Sequence, residues 1–221
     1  MNTVKGIVLA VSSALFVLPM AASAYDKGDI LVKFGAASVS PESSSDNINN
    51  YIGASVGADD EVQLGVSGTY MVSDRLGLEL LAATPFSHDL DGKGTLSGTD
   101  IGSIKHLPPT LSAQYYFMGS KSKFKPYVGA GVNYTVFFDE EVASPLNQAY
   151  NDLELDDSVG LSAQVGFDYQ FNKKWMLNAS AMYIDIDTTA TLSSDDPSNP
   201  DLVVDYDLDP MVYRLNVGFT F

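Results

Sequence analysis

Apolar and polar residues alternate along most of this chain. Between positions 159 and 171, Val159, Leu161, Ala163, Val165, Phe167, Tyr169 and Phe171 fall on one side of an extended strand. Gly160, Ser162, Gln164, Gly166, Asp168 and Gln170 fall on the other. Successive strand side chains point to opposite faces, whereas a helix repeats every 3.6 residues, so a sustained period of two predicts a strand. Residues 62–70, 126–138 and 211–221 repeat the pattern. Residues 30–39, 76–84, 107–117 and 175–188 follow it less strictly. Eight strands result.

The connections also alternate. Residues 72–75, 118–123 and 172–174 are short links, while 40–61, 85–105, 139–158 and 189–209 are long ones. An even strand count with short turns at one end and long loops at the other is the pattern of an outer-membrane barrel. Lipid cannot satisfy a bare strand edge, so such a sheet must close. The predicted fold is therefore all-β: a closed antiparallel eight-stranded transmembrane β-barrel with short periplasmic turns and long extracellular loops. Its apolar face meets lipid and its mixed face lines the lumen. Gly35, Gly65, Gly77, Gly129, Gly131, Gly160, Gly166 and Gly218 all fall on the lumen face. An eight-stranded barrel is just wide enough to be filled by side chains, so small residues there are expected to leave a narrow cavity.

Aromatics gather beside the short turns: Tyr70, Tyr115, Phe117, Phe124, Tyr127, Tyr169, Phe171 and Trp175. Such a girdle marks a membrane interface. A soluble lipocalin-like barrel would alternate too, with its apolar face inward. The girdle, the terminal Phe221 and the leader argue against it. That leader is residues 1–24: Lys5, an apolar stretch over 7–18, Pro19, and small residues Ala22, Ser23 and Ala24 before Tyr25. This is a secretory signal peptide, too short in its apolar part for a spanning helix. Residues 25–221 form the barrel, and its location is the outer membrane of a Gram-negative cell.

Composition narrows the function. The net charge of −16 argues against a nucleic-acid partner, which needs a basic face. With no cysteine there is no disulfide framework, thiol nucleophile or Cys-based zinc site. Most acidic residues lie in the long loops, and Arg75, Lys121, Lys123, Lys125, Lys173 and Lys174 gather at the short turns. Acidic loops can hold Ca²⁺ or Mg²⁺, but none has the EF-hand spacing, so neither a metal nor a cofactor is assigned. An enzyme is not expected: His88 and His106 are the only histidines, and no G-x-S-x-G elbow accompanies them.

Several stretches carry a family resemblance: LELLAATPFSH from Leu78 to His88, HLPPTLSAQYYF from His106 to Phe117, KPYVGAGVNYTVFF from Lys125 to Phe138, and YIDIDTTA from Tyr183 to Ala190. In this order they resemble the outer membrane protein W family, and the resemblance runs through essentially the whole mature chain. It implies an eight-stranded barrel with a hydrophobic lumen that admits small hydrophobic molecules, which leave sideways into the membrane. It also implies bacteriocins, or phage, as partners of the loops in some members. The ending Tyr213, Leu215, Val217, Phe219 and Phe221 resembles the signal read by the outer-membrane barrel assembly machinery. Outer-membrane lipid and lipopolysaccharide complete the expected partners.

The strand phase selects inward residues. On the third strand these are Gly77, Glu79, Leu81 and Ala83. On the seventh they are Met176, Asn178, Ser180, Met182 and Ile184, and the fifth adds Phe137 near its loop end. Leu81, Met182, Ile184 and Phe137 are thus expected to be apolar groups in an otherwise polar lumen, where a ligand passes. The resemblance makes Leu81 and Met182 a constriction. Methionine where relatives carry an aromatic makes it easier to open, because a thioether chain is flexible. The alternative is that these side chains simply plug a small barrel, leaving a structural or receptor protein that works through its acidic loops. Glu79 and Arg214 are expected to meet across the lumen, offsetting the burial of either charge, with Lys33 and Asp168 joining them. Proline removes a ladder donor. Pro85, Pro108 and Pro109 are therefore expected to interrupt pairing near the loop end and open a lateral gap.

Overall fold

A computed structural model describes residues 25–41, 44–45, 54–58, 60–94, 97–118, 122–144 and 146–221. The leader at 1–24 and Lys121 lie outside the described residues. The described chain is almost entirely strand: β1 (Ile30–Ser40), β2 (Ser44–Ser45), β3 (Ala54–Ala58), β4 (Glu61–Ser73), β5 (Leu76–Ala83), β6 (Phe86–Gly94), β7 (Asp100–Leu107) and β8 (Thr110–Tyr116) come first. They are followed by β9 (Phe124–Val142), β10 (Asp152–Leu155), β11 (Ser158–Gln170), β12 (Trp175–Ile184), β13 (Asp187–Ser193), β14 (Leu202–Asp207) and β15 (Met211–Thr220).

Eight of these make the wall. Strands β1, β4, β5, β8, β9, β11, β12 and β15 each pair antiparallel with the next, and β15 returns to β1 through the register Lys33↔Gly218 and Ala37↔Arg214. No strand edge is left in the wall, as lipid requires. The outward face is the apolar one. Leu64, Leu111, Leu161 and Leu215 are 70%, 56%, 68% and 59% exposed, which excludes a lipocalin-like barrel with its greasy face inside. Tyr115 and Phe117, Tyr169 and Phe171, and Trp175 and Phe219 meet edge to face near the short turns. Tyr127 does not join that girdle: it sits on the lumen face of β9 and is fully buried. Lys125, two residues earlier, also turns inward, with its ammonium 4.7 Å from the Tyr25 ring centre.

The long loops are themselves built from strands. Strands β6 and β7 form a hairpin that continues the wall upward against the long β9, and β3 pairs with the other side of β6. Strands β10, β13, β14 and β2 make a separate four-stranded sheet. Three wall segments therefore have different limits from those the alternation predicts. Leu107 belongs to β7 because Pro108 and Pro109 end that strand, β12 stops at Ile184, and β9 runs on to Val142.

The lumen glycines do not leave open space. A Cβ on Gly166 would sit 2.7 Å from the Tyr127 ring, and one on Gly77 would sit 2.7 Å from Thr69 Cγ2 and 3.2 Å from Met71 Sδ. Gly77, Gly166 and Gly218 let the side chains of Met71, Tyr127 and Met176 approach the wall closely, and these side chains are fully buried.

Candidate passage through the barrel

The lumen is layered. At the short-turn end Tyr25, Leu31, Met71, Tyr116, Tyr127 and Met176 pack into a floor. Tyr25 precedes β1 and reaches across to donate its hydroxyl proton to Asp168 Oδ2 at 2.6 Å. Nothing in the strand phase announces this residue, because it stands before the first alternating segment.

Above the floor lies a charged belt. Glu79 Oε2 is 3.3 Å from Arg214 NH2, and Lys33 Nζ is 3.5 Å from Glu79 Oε1 and 3.9 Å from Asp168 Oδ1. Ser67 Oγ and Gln164 Nε2 also donate to Glu79, at 2.9 and 3.3 Å. Arg214 Nε donates to Ser180 at 3.0 Å, and its NH2 donates to Gln164 Oε1 at 2.9 Å. Asn178 links Asp168 to the Tyr127 hydroxyl. All four charged residues are buried, with two cations against two anions. Their charge is compensated where they stand, which such burial requires.

Above the belt the lining turns apolar. Leu81, Met182, Ile184 and Phe137 all enter one cluster with Ala37, Val39, Val212 and residues of the extracellular strands. Its outer part comes from Phe86, Leu90, Ile101 and Ile104 on the β6–β7 hairpin, with Leu153, Leu155, Leu192 and Tyr206 of the four-stranded sheet above. The strand phase identifies the barrel members of this layer. It gives no sight of the roof, whose strands carry a mixed pattern.

The histidines lie in the same layer. His88 of β6 and His106 of β7 are both buried, and their Nε2 atoms are 3.0 Å apart, with ring planes 18° from parallel. Phe86 stacks on His106 at 5.5 Å between ring centres, and Phe137 lies 5.8 Å away. Burial, with His88 alongside, pushes the His106 pKa down to about 3.

The prolines coincide with breaks in pairing. Strands β5 and β8 pair as far as Leu81↔Thr110, and pairing resumes between β6 and β7 at Phe86↔His106. Residues 82–85 and 107–109, which hold all three prolines, lie between. On the β9 side the wall stays stitched, through Tyr134 N–H to the Pro109 carbonyl at 3.1 Å and Leu107↔Val136. On the other side a longer interruption appears. Strands β4 and β5 pair up to Gly65↔Ala83, and β3 and β6 pair from Ala58↔Leu90 onward. Six residues lie between those pairs on each chain, so the register is the same on both sides of the break. Hydrogen bonds that span it include Thr84 N–H to the Leu64 carbonyl at 3.0 Å, Thr84 Oγ1 to Gln63 Oε1 at 2.7 Å and to the Leu64 carbonyl at 3.4 Å, and Ser87 N–H to the Glu61 carboxylate. Pro85, which has no N–H to offer, stands in the middle. The result is an interruption of the strand ladder between β4 and β6, with the buried Phe86 and His88 on its inner side.

The remaining sequence-selected residues sit on β15 and at the chain end. Tyr213, Leu215, Val217 and Phe221 face outward, and Phe219 is half-buried between Trp175 and Phe221. The acidic residues Asp185, Asp187 and Asp209, which no sequence motif groups, bring their carboxylates within 4.8 Å of one another above β12.

A closed eight-stranded barrel with an outward apolar face, an aromatic girdle and strand-built extracellular extensions defines an integral outer-membrane barrel protein. The model of the OmpW family matches residues 26–221, and the chain belongs to that family. It is 44% identical over 216 residues to outer membrane protein W of Vibrio cholerae serotype O1, covering 96% of this chain and 97% of that one. A more distant relative, 25% identical over 171 residues and 76% of each chain, is the dibenzothiophene metabolism operon protein PahQ of Pseudomonas aeruginosa. The crystal structure of OprG from Pseudomonas aeruginosa superposes with a TM-score of 0.85 at 42% identity, covering 90% of this chain and 98% of that one.

Proposed function

We propose that the protein is a channel for small hydrophobic molecules, which enter the apolar layer from outside and leave sideways through the window between β4 and β6 into the membrane. The observation that carries this reading is the position of the window. It lies beside the apolar layer and above a belt and floor that fill the lumen, so a greasy molecule has an apolar route outward and a charged obstacle downward. Crossing the belt would strip buried Glu79 and Arg214 of partners, whereas crossing the window breaks the hydrogen bonds of Thr84 and Ser87, which are exposed and involve no buried ion pair. Outside, Val66, Leu80, Ala82 and Gly68 line a shallow apolar groove on the lipid face that begins beside the window. A relative named for dibenzothiophene metabolism agrees with a hydrophobic cargo. Pro85, Pro108 and Pro109 mark the lateral opening in this reading, and Leu81, Met182, Ile184 and Phe137 line the path to it.

The test is a lock. The chain has no cysteine, so Glu61→Cys with Ser87→Cys places a single pair across the window. Oxidation is expected to stop uptake of a hydrophobic probe by cells that depend on this protein, and reduction to restore it. Leu81→Asp and Met182→Asp should lower uptake without any oxidant, because each puts a charge into the apolar layer. Full uptake through the oxidised barrel would overturn lateral exit. Full uptake in the Asp variants as well would leave the plugged receptor barrel, acting through its acidic loops.

A further inference from the structure

We propose that the His88–His106 pair is a recognition site for one hydroxyl group on an otherwise apolar, uncharged molecule, which makes alcohols and phenols the preferred cargo. This rests on the channel reading and names its substrate class. The pair lies where cargo must pass in that reading: His88 is on the inner side of the window and stacks on His106, whose ring lies against Phe86 and Phe137. Their Nε2 atoms are 3.0 Å apart, so one imidazole donates and the other accepts. Nδ1 of His106 is then left with one hydrogen-bonding function. It is buried and has no partner among the described residues. Buried polar atoms are nearly always paired, so one held inside an apolar layer points to a ligand that supplies the partner.

The tautomer fixes the chemistry of that partner. Where His106 gives its Nε2 proton to His88, its Nδ1 accepts; where His106 receives, its Nδ1–H donates. A hydroxyl group answers either state, because it both donates and accepts. A carbonyl answers only the second. A carboxylate or ammonium would bring a net charge among aromatic and aliphatic groups, which is costly without a counter-ion. The downshifted pKa of His106 keeps the imidazole neutral at physiological pH, so it offers no such counter-ion. The preferred molecule is therefore neutral, mostly hydrocarbon and singly hydroxylated.

A matched probe pair tests this: naphthalene and 1-naphthol differ by one hydroxyl. Uptake of both is measured in cells lacking the chromosomal gene and carrying the full-length wild type, His106→Phe or His88→Phe. The wild type should favour 1-naphthol, and His106→Phe should lower the ratio of the two rates about 3- to 10-fold, the scale of one neutral hydrogen bond. An unchanged ratio in a folded His106→Phe barrel overturns the proposal. Imidazole ¹⁵N spectra of the wild-type protein in micelles give a second readout that does not depend on transport. Adding 1-naphthol should move the His106 Nδ1 resonance and naphthalene should not. Equal responses, or none, overturn the proposal. If no probe enters above the deletion background yet the resonance moves, the channel reading fails while the site stands.

Discussion

Replacing Glu79 with alanine removes the carboxylate that Lys33, Ser67, Gln164 and Arg214 share. The belt then holds two cations against the single anion Asp168. Arg214 keeps Ser180 and Gln164, and Lys33 keeps Asp168 at 3.9 Å, so neither cation is wholly stranded. The loss is therefore well below the sum of four charge-assisted bonds. Removing one partner from a buried pair typically costs about 3–5 kcal/mol, and that is the expected fall in unfolding free energy. Arg214→Met should cost a similar amount, because it leaves Glu79 with Lys33 as its one cation. Combining the two leaves one cation and one anion in the belt, so the double variant should lose at least about 2 kcal/mol less than the sum of the single losses. Urea unfolding of the purified barrel in lipid vesicles, followed by tryptophan fluorescence of Trp175, measures all three. Single losses that add within about 0.5 kcal/mol, or a Glu79→Ala cost below about 1 kcal/mol, would refute the claim that the belt acts as one compensated unit.

The His106 pKa is about 3 in the folded hairpin against an ordinary 6.5, so the folded state binds fewer protons below pH 6.5. Its stability is complete above that pH and falls by about 1.4 kcal/mol per pH unit on acidification towards 3. Amide exchange of β6 and β7, corrected for intrinsic rates, should therefore quicken between pH 7 and pH 5, and His106→Phe should flatten the profile. A flat wild-type profile would contradict it. Leu111→Arg places a cation on the lipid face of β8, where Leu111 is 56% exposed, and should cost about 2–4 kcal/mol in lipid vesicles if that face lies near the midplane. A cost near zero would mean that this face meets water.

The wall was legible in the sequence because a period of two is a local signal, and closing the sheet in lipid leaves few arrangements of eight strands. Strand phase alone places Glu79, Arg214, Lys33 and Asp168 inward. Their meeting depends on register, and the structure brings them within 4 Å. Tyr127 was misplaced in the girdle because adjacent aromatics look alike in composition, while the phase of β9 turns this one inward. The His88–His106 pair was not legible. The two are 18 residues apart and meet only because β6 folds back on β7. The prolines signalled broken pairing, yet the larger break lies between β4 and β6, where sequence shows one proline and the partner strand shows none.

The equal spacing of that break on both chains has a mechanical consequence. Two edges that part and rejoin in step behave like a buttonhole: they can draw together without either strand sliding, and no side chain has to change faces. In the channel proposed above, opening here leaves the register of the rest of the cylinder untouched, and the missing donor at Pro85 keeps the fully fastened state one stitch short.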